Sequence, residues 1–339
     1  MGRRVLRVIL RECDPSSTST DDVAAAVQVM NEILAADLPE DPQWRTDMAR
    51  EYLTITMPGE RRVSWQAAEE DGTPLGRATL LITEDIGILE LMVRPAARRH
   101  GLGSKLLTAI AERAAAEGVD TLGVEVAGNT PSVDFFETHG FRQACTELRS
   151  VLKLSLVDWV EVERMATGIS AGYRIEVYPG GPPPEMYEEY TAAKEAVRHL
   201  EFPELDLRPS SYGPQRLAES IRTLQARGLK PYVVVAIHER SETVAALTEV
   251  VVPVHRASRA DQYDTIVVPK HRGYGADRTI KARMLLELRA AEPQLVDVQT
   301  WNAADNEQII KLNTLLGFRA DREWREYAAP VAELLGRRG

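Results

Sequence analysis

Two spacings of hydrophobic residues alternate along this chain, and together they predict a mixed α/β protein. Alternation of apolar and polar residues is typical of half-buried strands, and apolar residues three and four apart are typical of helices. The first half predicts strands at 4–10, 62–68, 75–83, 88–93, 121–127 and 141–154, and helices at 23–36, 44–53, 104–116 and 132–138. The order is therefore one strand, two helices, three strands, and then helix, strand, helix and strand.

The second half repeats this order. It predicts strands at 173–178, 232–238, 244–252, 264–268, 296–300 and 319–328, and helices at 185–199, 215–227, 278–290 and 306–315. Residues 155–171 have a mixed pattern, which we interpret as a connection. A chain of 339 residues is also too long for a single core of ordinary size. We therefore expect two domains, one over residues 1–155 and the other over residues 172–339.

A glycine-rich turn follows the strand predicted at 88–93 and precedes the helix predicted at 104–116. In this turn Arg98 is followed by Gly101 and Gly103 with the spacing R-x-x-G-x-G. Glycine leaves the backbone open to a ligand, and the start of a helix directs unpaired N–H groups and a positive dipole at a bound anion. We interpret the turn as a cradle for the pyrophosphate of a nucleotide-bearing cofactor.

A second copy of the turn lies in the other half of the chain. Arg272 and Gly275 follow Arg98 and Gly101 at the same interval of 174 residues, but Asp277 stands at the position of Gly103. A carboxylate at that position repels a bound phosphate by several kcal/mol, and it is also a good helix cap. We therefore expect that the second half keeps the fold and has lost cofactor binding.

Composition and charge narrow the classes of function. The chain has 41 basic and 51 acidic residues, a formal charge of −10, which argues against nucleic acid or an anionic membrane as a partner. It has no apolar run of the roughly 18 residues that a membrane span needs, and its N-terminus predicts a strand instead of a signal peptide. Cys13 and Cys145 give no disulfide framework, so we expect a cytoplasmic location. The six histidines are dispersed, which gives no indication of a metal site.

The order of elements, with the R-x-x-G-x-G turn between the fourth strand and the third helix and a later Gly-Phe pair, resembles the GCN5-related N-acetyltransferase (GNAT) superfamily. The resemblance covers nearly the whole chain, once in each half, and the two pairs are Gly140-Phe141 and Gly317-Phe318. It implies two tandem α+β domains, each with a twisted mixed sheet whose fourth and fifth strands splay apart to admit acyl-CoA. The implied activity is acetyl-CoA-dependent transfer of an acetyl group to a primary amine of a small molecule or peptide.

The resemblance assigns the cofactor contacts residue by residue. The backbone of Leu91, Met92 and Val93 would hydrogen-bond the pantetheine arm, and Asn129 would contact the same arm. The pyrophosphate would be held by the turn and the start of its helix, namely Arg98, Arg99, His100, Gly101, Leu102, Gly103 and Ser104. The alternative for these charged side chains is an ordinary exposed helix start.

Two carboxylates are candidates for the base that removes a proton from the amine. Glu90 lies on the strand that leads to the turn, Glu125 lies on the neighbouring strand, and Asp264 matches Glu90 in the second half. The alternative is that either strand glutamate simply faces solvent. Many GNAT members carry a tyrosine four residues before the glycine of the Gly-Phe pair, and this tyrosine acts as the general acid. This chain has Phe136 and Asn313 at the two matching positions, and neither can donate a proton as a phenol does.

The missing tyrosine leaves three alternatives for the acid. In the first, another group such as Tyr52 acts as the acid. In the second, the thiolate leaves without protonation by the protein. In the third, the first half is not a catalyst, and Phe136 simply packs in the core. A non-catalytic acyl-CoA-binding or interaction protein is accordingly the alternative function. A dehydrogenase-type nucleotide module is disfavoured, because a hairpin-rich segment precedes the turn and the spacing G-x-G-x-x-G is absent.

The acceptor amine is expected near the first two helices. That region contains Trp44 and a group of acidic residues, which are Asp37, Glu40, Asp41, Asp47 and Glu51. Acidic and aromatic side chains together attract a cationic amine. The alternative is a solvated connection between two helices.

Overall fold

The computed structural model describes residues 7–13, 18–84, 86–197 and 213–336. In the first half the elements are β1 (Val8–Cys13), α1 (Thr20–Asp37), α2 (Thr46–Thr54), β2 (Glu60–Glu69), β3 (Pro74–Thr83), β4 (Ile86–Val93), α3 (Leu102–Ala116), β5 (Thr121–Ala127), α4 (Pro131–Thr138) and β6 (Arg142–Lys153). They continue with α5 (Trp159–Met165), β7 (Tyr173–Pro179), α6 (Tyr187–Glu195), α7 (Pro214–Ala226), β8 (Leu229–His238), β9 (Thr243–Pro253), β10 (Arg259–Val267), α8 (Ala276–Ala291), β11 (Asp297–Ala303), α9 (Glu307–Leu316), β12 (Arg319–Pro330) and α10 (Val331–Gly336).

The predicted order of strands and helices is confirmed in both halves, and the sheets are mixed as expected. Residues 4–6 of the first predicted strand and 198–199 of the helix predicted at 185–199 lie outside the described residues. Within the described ranges, no helix has both the length and the apolar character that crossing a membrane requires.

Three elements differ from the sequence interpretation. The connection contains α5, whose seven residues are too few to show a helical period, and α10 follows the last strand. β10 begins at Arg259 instead of residue 264, because its first residues are polar and pair across the sheet. The Arg259 guanidinium contacts the Asp297 carboxylate at 2.6 Å, and Gln299 donates to Asp261 at 2.6 Å. These buried polar pairs interrupt the apolar pattern that would have indicated the strand.

The chain forms two compact units that differ from the division predicted at residues 155 and 172. The first unit comprises Met1–Ala144 and Arg325–Gly339, and the second unit comprises Cys145–Trp324. Most of β6 therefore belongs to the second unit, and the last half of β12 belongs to the first. The cause is pairing between distant segments, since β6 is antiparallel to β11 from Glu147↔Ala303 to Lys153↔Asp297. Hydrophobic periodicity identifies a strand but not its partner.

The first unit contains the strands in the order β1-β2-β3-β4-β5-β12, antiparallel up to β4 and parallel between β4 and β5. Its core lies between this sheet and α3, which buries an apolar stripe that includes Leu106 and Ile110. β12 contributes Tyr327 to the same core. This side chain is fully buried, and its hydroxyl donates to Glu137 at 2.8 Å.

The second unit contains the strands in the order β6-β11-β10-β9-β8-β7. Its β8 and β9 are apolar on both faces, because α8 covers one side of the sheet and α6 the other. Helix α8 buries Ile280 and Leu288 on its apolar face. It also buries Lys281, which is unusual for a charged residue.

We expect Tyr327→Ala to lower the free energy of unfolding by about 3–5 kcal/mol, because it leaves a large cavity in the first unit's core. Tyr327→Phe keeps the ring and loses the hydroxyl's hydrogen bonds with Glu137 and Arg325, at a cost of about 1–2 kcal/mol. Urea denaturation of both variants measures the difference. Equal stability of the alanine variant and the wild type would show that the last strand does not support this core.

Candidate active site

The strands that carry the predicted site separate soon after they begin. These strands are β4 and β5, which lie wholly within the described residues. They pair in parallel at three positions, from Ile86↔Thr121 to Ile88↔Gly123. Beyond Ile88, β4 continues to Val93 beside β3, while β5 diverges from it. The backbone groups of a strand alternate between its two edges, and the Arg94 N–H donates to the Leu75 carbonyl of β3 at 3.0 Å. By this alternation Leu91 and Val93 direct their backbone groups toward β5, whereas Met92 directs its groups toward β3, and all three side chains are half-buried. This is the slot that the resemblance implies for a pantetheine arm.

The turn after β4 ends in an open helix start. Gly101 is the N-cap residue of α3 with a φ of +77°, and Arg99 also has a positive φ of +64°. A side-chain carbon added at Gly101 would meet no atom within 4 Å. No side chain in the described structure caps this helix, so its first N–H groups remain available to an anion. Arg99 and His100 are exposed beside it.

Arg98 has a different role from the one expected for it. Its guanidinium contacts both carboxylate oxygens of Asp37, at 2.9 and 2.5 Å, and its Nε donates to the Val93 carbonyl at 3.1 Å. Arg98 thus fastens the end of α1 to the end of β4. The Val93 carbonyl is already engaged by this contact, and the charge of Arg98 is balanced by Asp37. The exposed Arg99 is the better source of positive charge at the turn.

Gly103 and Ser104 face helix α4. A side-chain carbon at Gly103 would lie 2.9 Å from the Phe135 ring, so this glycine is required for packing. The Ser104 hydroxyl lies 2.9 Å from Nε2 of His139, whose Nδ1 lies 2.7 Å from the Phe135 carbonyl oxygen. A carbonyl only accepts, so Nδ1 carries the hydrogen, and in the neutral ring Nε2 accepts from Ser104. These contacts hold α4 against the start of α3.

Glu90 is paired with the tyrosine that sequence analysis named as an alternative acid. The Tyr52 hydroxyl donates to Oε1 of Glu90, and Oε2 of Glu90 is buried without a hydrogen-bond partner. Burial, followed by the charge of Glu90, raises the pKa of Tyr52 well above its usual range, so its phenol stays protonated. The Arg62 guanidinium lies 4.7 Å from the centre of the Tyr52 ring. The arrangement leaves one carboxylate oxygen of Glu90 available for a proton.

The other predicted residues are placed as follows. Glu125 is exposed on β5, on the same face of the sheet as Glu90 by the register of the two strands. Asn129 is exposed just after β5 and has a φ of +60°. Phe136 is buried with ring-centre distances of 5.1 Å to Phe135 and Phe141, which confirms that it packs in the core.

The expected acceptor region adjoins Tyr52. The Trp44 ring centre lies 5.3 Å from that of Tyr52, and Asn31 holds the Trp44 backbone through two hydrogen bonds of 2.7 and 3.0 Å. Asp37 is engaged by Arg98, and Asp47 pairs with Arg45 at 3.3 Å. The Trp44 ring therefore lies beside the Glu90–Tyr52 pair. Asp37 and Asp47, in contrast, are paired with arginines of the protein.

The second unit repeats the slot but not the cradle. β10 and β11, both within the described ranges, pair at three positions from Arg259 to Asp261. The turn after β10 is covered: a side-chain carbon at Gly275 would lie 3.1 Å from the Gly168 carbonyl, and Ser170 donates to the Tyr274 carbonyl at 3.1 Å.

Asp277 does not cap its helix as expected. Gly275 is the N-cap residue of α8, and no side chain in the described part of the chain caps it. The Asp277 carboxylate instead lines a cavity of about 540 Å³ in the second unit. One turn later Lys281 lines the same cavity. Because Gly275 occupies the N-cap position, Asp277 lies inside the first turn of the helix, where its side chain does not serve as the N-cap.

Sequence analysis missed the lysines of this unit. Lys194, on α6, contacts Glu249 and Asp264 at 2.8 Å each, so the counterpart of Glu90 is held in an ion-pair cluster. Lys281 occupies the position of Leu107 in the first copy, and burial lowers its pKa to about 7. The sequence signal that would have identified Lys281 is a charged residue at a position where the first copy has an apolar one. In the described ranges no three histidine, cysteine, aspartate or glutamate side chains converge as metal ligands do.

The comparisons with known proteins agree with this geometry. Residues 27–141 match the model of the acetyltransferase (GNAT) family. No curated protein sequence matches the chain. Among solved structures, it is similar to a tandem GNAT protein from the clavulanic acid biosynthesis pathway, with 20% identity, a TM-score of 0.81, and coverage of 96% of this chain and 99% of that one.

Two further structures have the same fold. A GCN5-related N-acetyltransferase from Sphaerobacter thermophilus has 14% identity and a TM-score of 0.68, with 96% of each chain covered. A putative acetyltransferase from Pyrococcus horikoshii has 13% identity and a TM-score of 0.57, with 97% of this chain and 91% of that chain covered. The chain is thus a protein of the tandem GNAT fold.

The lowered pKa of Lys281 predicts how stability depends on pH. An unfolded lysine binds a proton up to its ordinary pKa of 10.5, and the folded one only up to about 7. The folded state is therefore penalised fully below pH 7, and the penalty disappears as the pH rises toward 10.5. We expect Lys281→Met to be more stable than the wild type by about 3 kcal/mol at pH 6.5, with the difference shrinking at higher pH.

Denaturant unfolding between pH 6 and 10 measures this difference. Lys311→Met is the control, because Lys311 is exposed on α9 and pairs with Glu307 in the same helix. We expect its stability to follow the wild type at every pH. A difference for Lys281→Met that does not change with pH would contradict a pKa of Lys281 lowered by burial.

Proposed function

We propose that the first unit binds acetyl-CoA and transfers its acetyl group to a primary amine of a small molecule or a peptide. The observation that carries the proposal is the open cradle at Gly101, which ends a strand that has separated from its neighbour. The fold supports acyl transfer in general. Cys13 and Cys145 give no disulfide framework, which supports a cytoplasmic location.

The residues of the first unit fit such a co-substrate. The N–H groups from Arg99 to Ser104 would hold the diphosphate, with the exposed Arg99 adding positive charge. The free edge of β4, at the backbone of Leu91 and the N–H of Val93, would hold the pantetheine arm, and Asn129 would border it. When bound, acetyl-CoA supplies an activated acetyl group as a thioester.

The proton chemistry falls to Glu90 and Tyr52. An amine attacks only after losing a proton, and the buried Oε2 of Glu90 is placed to receive it, directly or through a water molecule. Tyr52 holds the other oxygen and thereby fixes the carboxylate. Burial and the charge of Glu90 hold the pKa of Tyr52 far above that of a thiol, so its phenol acts as a hydrogen-bond donor, and the proton of the released thiol comes from the attacking amine. Overall the amine nitrogen gains the acetyl group and the CoA thiol is released.

The second unit is proposed to bind no acetyl-CoA. Its turn is covered by the backbone of Gly168, and the carboxylate of Asp277 lies at the cavity wall near the helix start. A diphosphate would face both a steric barrier and a like charge. This arrangement supports one catalytic unit and one degenerate unit in each chain.

A non-catalytic acyl-CoA-binding protein is the alternative, and the core position of Phe136 favours it, because a phenylalanine supplies no proton. Release of free thiol from acetyl-CoA in the presence of a panel of primary amines distinguishes the two. Thiol release that requires an amine supports the transferase. Acetyl-CoA binding without thiol release for any amine supports the alternative.

We expect calorimetry to show one acetyl-CoA site per chain. Arg99→Glu should weaken binding by about tenfold, because it places a negative charge beside the diphosphate. Arg283→Glu is the matched control, since Arg283 is exposed on α8 in the second unit, and it should bind as the wild type does. Two equivalent sites, or equal weakening by both variants, would contradict the assignment of the cradle.

Glutamine substitution separates the two candidate bases. Glu90→Gln should lower kcat by about 100-fold and leave the KM for acetyl-CoA unchanged, because it removes the base but not the cradle. Glu125→Gln should change kcat less than threefold, roughly, because Glu125 is exposed. Tyr52→Phe should lower kcat by about tenfold without raising that KM. Steady-state kinetics give both parameters, and a larger effect at Glu125 would reverse the assignment.

A further inference from the structure

The cavity of the second unit contains charged groups that the proposed reaction does not use. It measures about 540 Å³, within the range of small-molecule pockets, and it lies between the diverging strands β10 and β11 and the start of α8. The covered turn and Asp277 disfavour a diphosphate there. The lining is nevertheless strongly polar, which a degenerate domain does not require for its fold.

Lys281 is the central observation. Its side chain is only 2% exposed, it lines the cavity, and it forms no hydrogen bond or ion pair with any described residue. Its ammonium group lies 5.4 Å from the centre of the Phe318 ring. Burial lowers the pKa of Lys281 more than the negative charge of Asp277 raises it, so the buried ammonium is incompletely balanced, and a carboxylate supplied by a ligand would reduce the remaining cost.

Asp277 provides the complementary charge. It lies four residues before Lys281 on α8, so both side chains project from the same face of the helix. Asp277 also lines the cavity, and among the described residues it has no hydrogen bond or ion pair. The helix therefore presents an anion and a cation, one turn apart and not joined to each other, to the same cavity.

We propose that this cavity binds a small zwitterion of the α-amino acid class, with the ligand carboxylate on Lys281 and the ligand ammonium on Asp277. The α-carboxylate and α-ammonium of such a molecule are separated by a single carbon, which allows one molecule to contact both side chains. The site is distinct from the acetyl-CoA site of the first unit and does not depend on catalysis there.

Two further groups extend the site beyond this pair. The indole nitrogen of Trp301 and Nε2 of His271 are buried without hydrogen-bond partners, and both residues line the cavity. An indole N–H only donates, so Trp301 calls for an acceptor on the ligand. A polar ligand side chain would supply one, which favours amino acids with carbonyl or hydroxyl groups over purely aliphatic ones.

The test is calorimetric titration of the whole protein with L-glutamine, L-serine and L-alanine as probes. Each is compared with its amide, which lacks the carboxylate, and with its N-acetyl derivative, which lacks the ammonium. We expect saturable binding of at least one free amino acid, and binding weakened at least tenfold for both derivatives. Absence of binding for all three amino acids, or a derivative that binds equally well, would overturn the proposal.

Variants locate the site. Lys281→Met and Asp277→Asn should each weaken binding of the responding amino acid at least tenfold, while Lys311→Met, an exposed lysine on α9, should leave it unchanged. Thermal unfolding confirms that Lys281→Met is folded. Saturating acetyl-CoA should not displace the amino acid. Displacement by acetyl-CoA, or equal binding by Lys281→Met and the wild type, would place the ligand elsewhere and overturn the assignment.

Discussion

In each unit the central parallel strand pairing is only three residues long, and this short pairing creates the slot on which the proposed sites depend. β4 and β5 pair from Ile86 to Ile88, and β10 and β11 pair from Arg259 to Asp261, and each pair then diverges. A fully paired strand has no free backbone groups at its edges, so only this divergence leaves a slot in the sheet. In each unit the diverging strand is held by its antiparallel neighbour, β3 or β9, and is followed by a helix, α3 or α8. These elements fix the strand that borders the slot. Chemistry is then set by the side chains that border the slot.

The two units show how different that chemistry becomes on one backbone plan. In the first unit the glycine at the helix start faces open space, and in the second the equivalent Gly275 lies against the Gly168 carbonyl. Glu90 receives a hydrogen bond from Tyr52 and keeps one oxygen without a partner, whereas Asp264 is neutralised by Lys194. The site that we propose for an anionic co-substrate therefore lies in the first unit, and the corresponding carboxylate in the second unit is paired with a cation of the protein itself.

Hydrophobic periodicity predicted the elements well because most of them have one buried face, and the glycine turn was evident because it is repeated. It did not indicate where strands pair. β6 and β12 looked like the last strands of their own halves, yet Tyr327 completes the core of the first unit. The start of β10 was hidden by Arg259, whose partner Asp297 is remote in sequence. For the same reason the role of Arg98 could not be predicted, since its contact with Asp37 depends on how α1 packs near β4.

Lys281 distinguishes a functional explanation of the second unit from a purely structural one. The first copy has Leu107 at this position, so the fold is satisfied by an apolar residue there. A buried lysine in place of that leucine costs stability, and marginally stable proteins keep such costs mainly where binding or catalysis needs them. A unit that served only as a scaffold would be expected to keep a leucine. The incompletely balanced charge of Lys281, together with the indole nitrogen of Trp301 and Nε2 of His271, which are buried without hydrogen-bond partners, is therefore better explained by a ligand than by the fold.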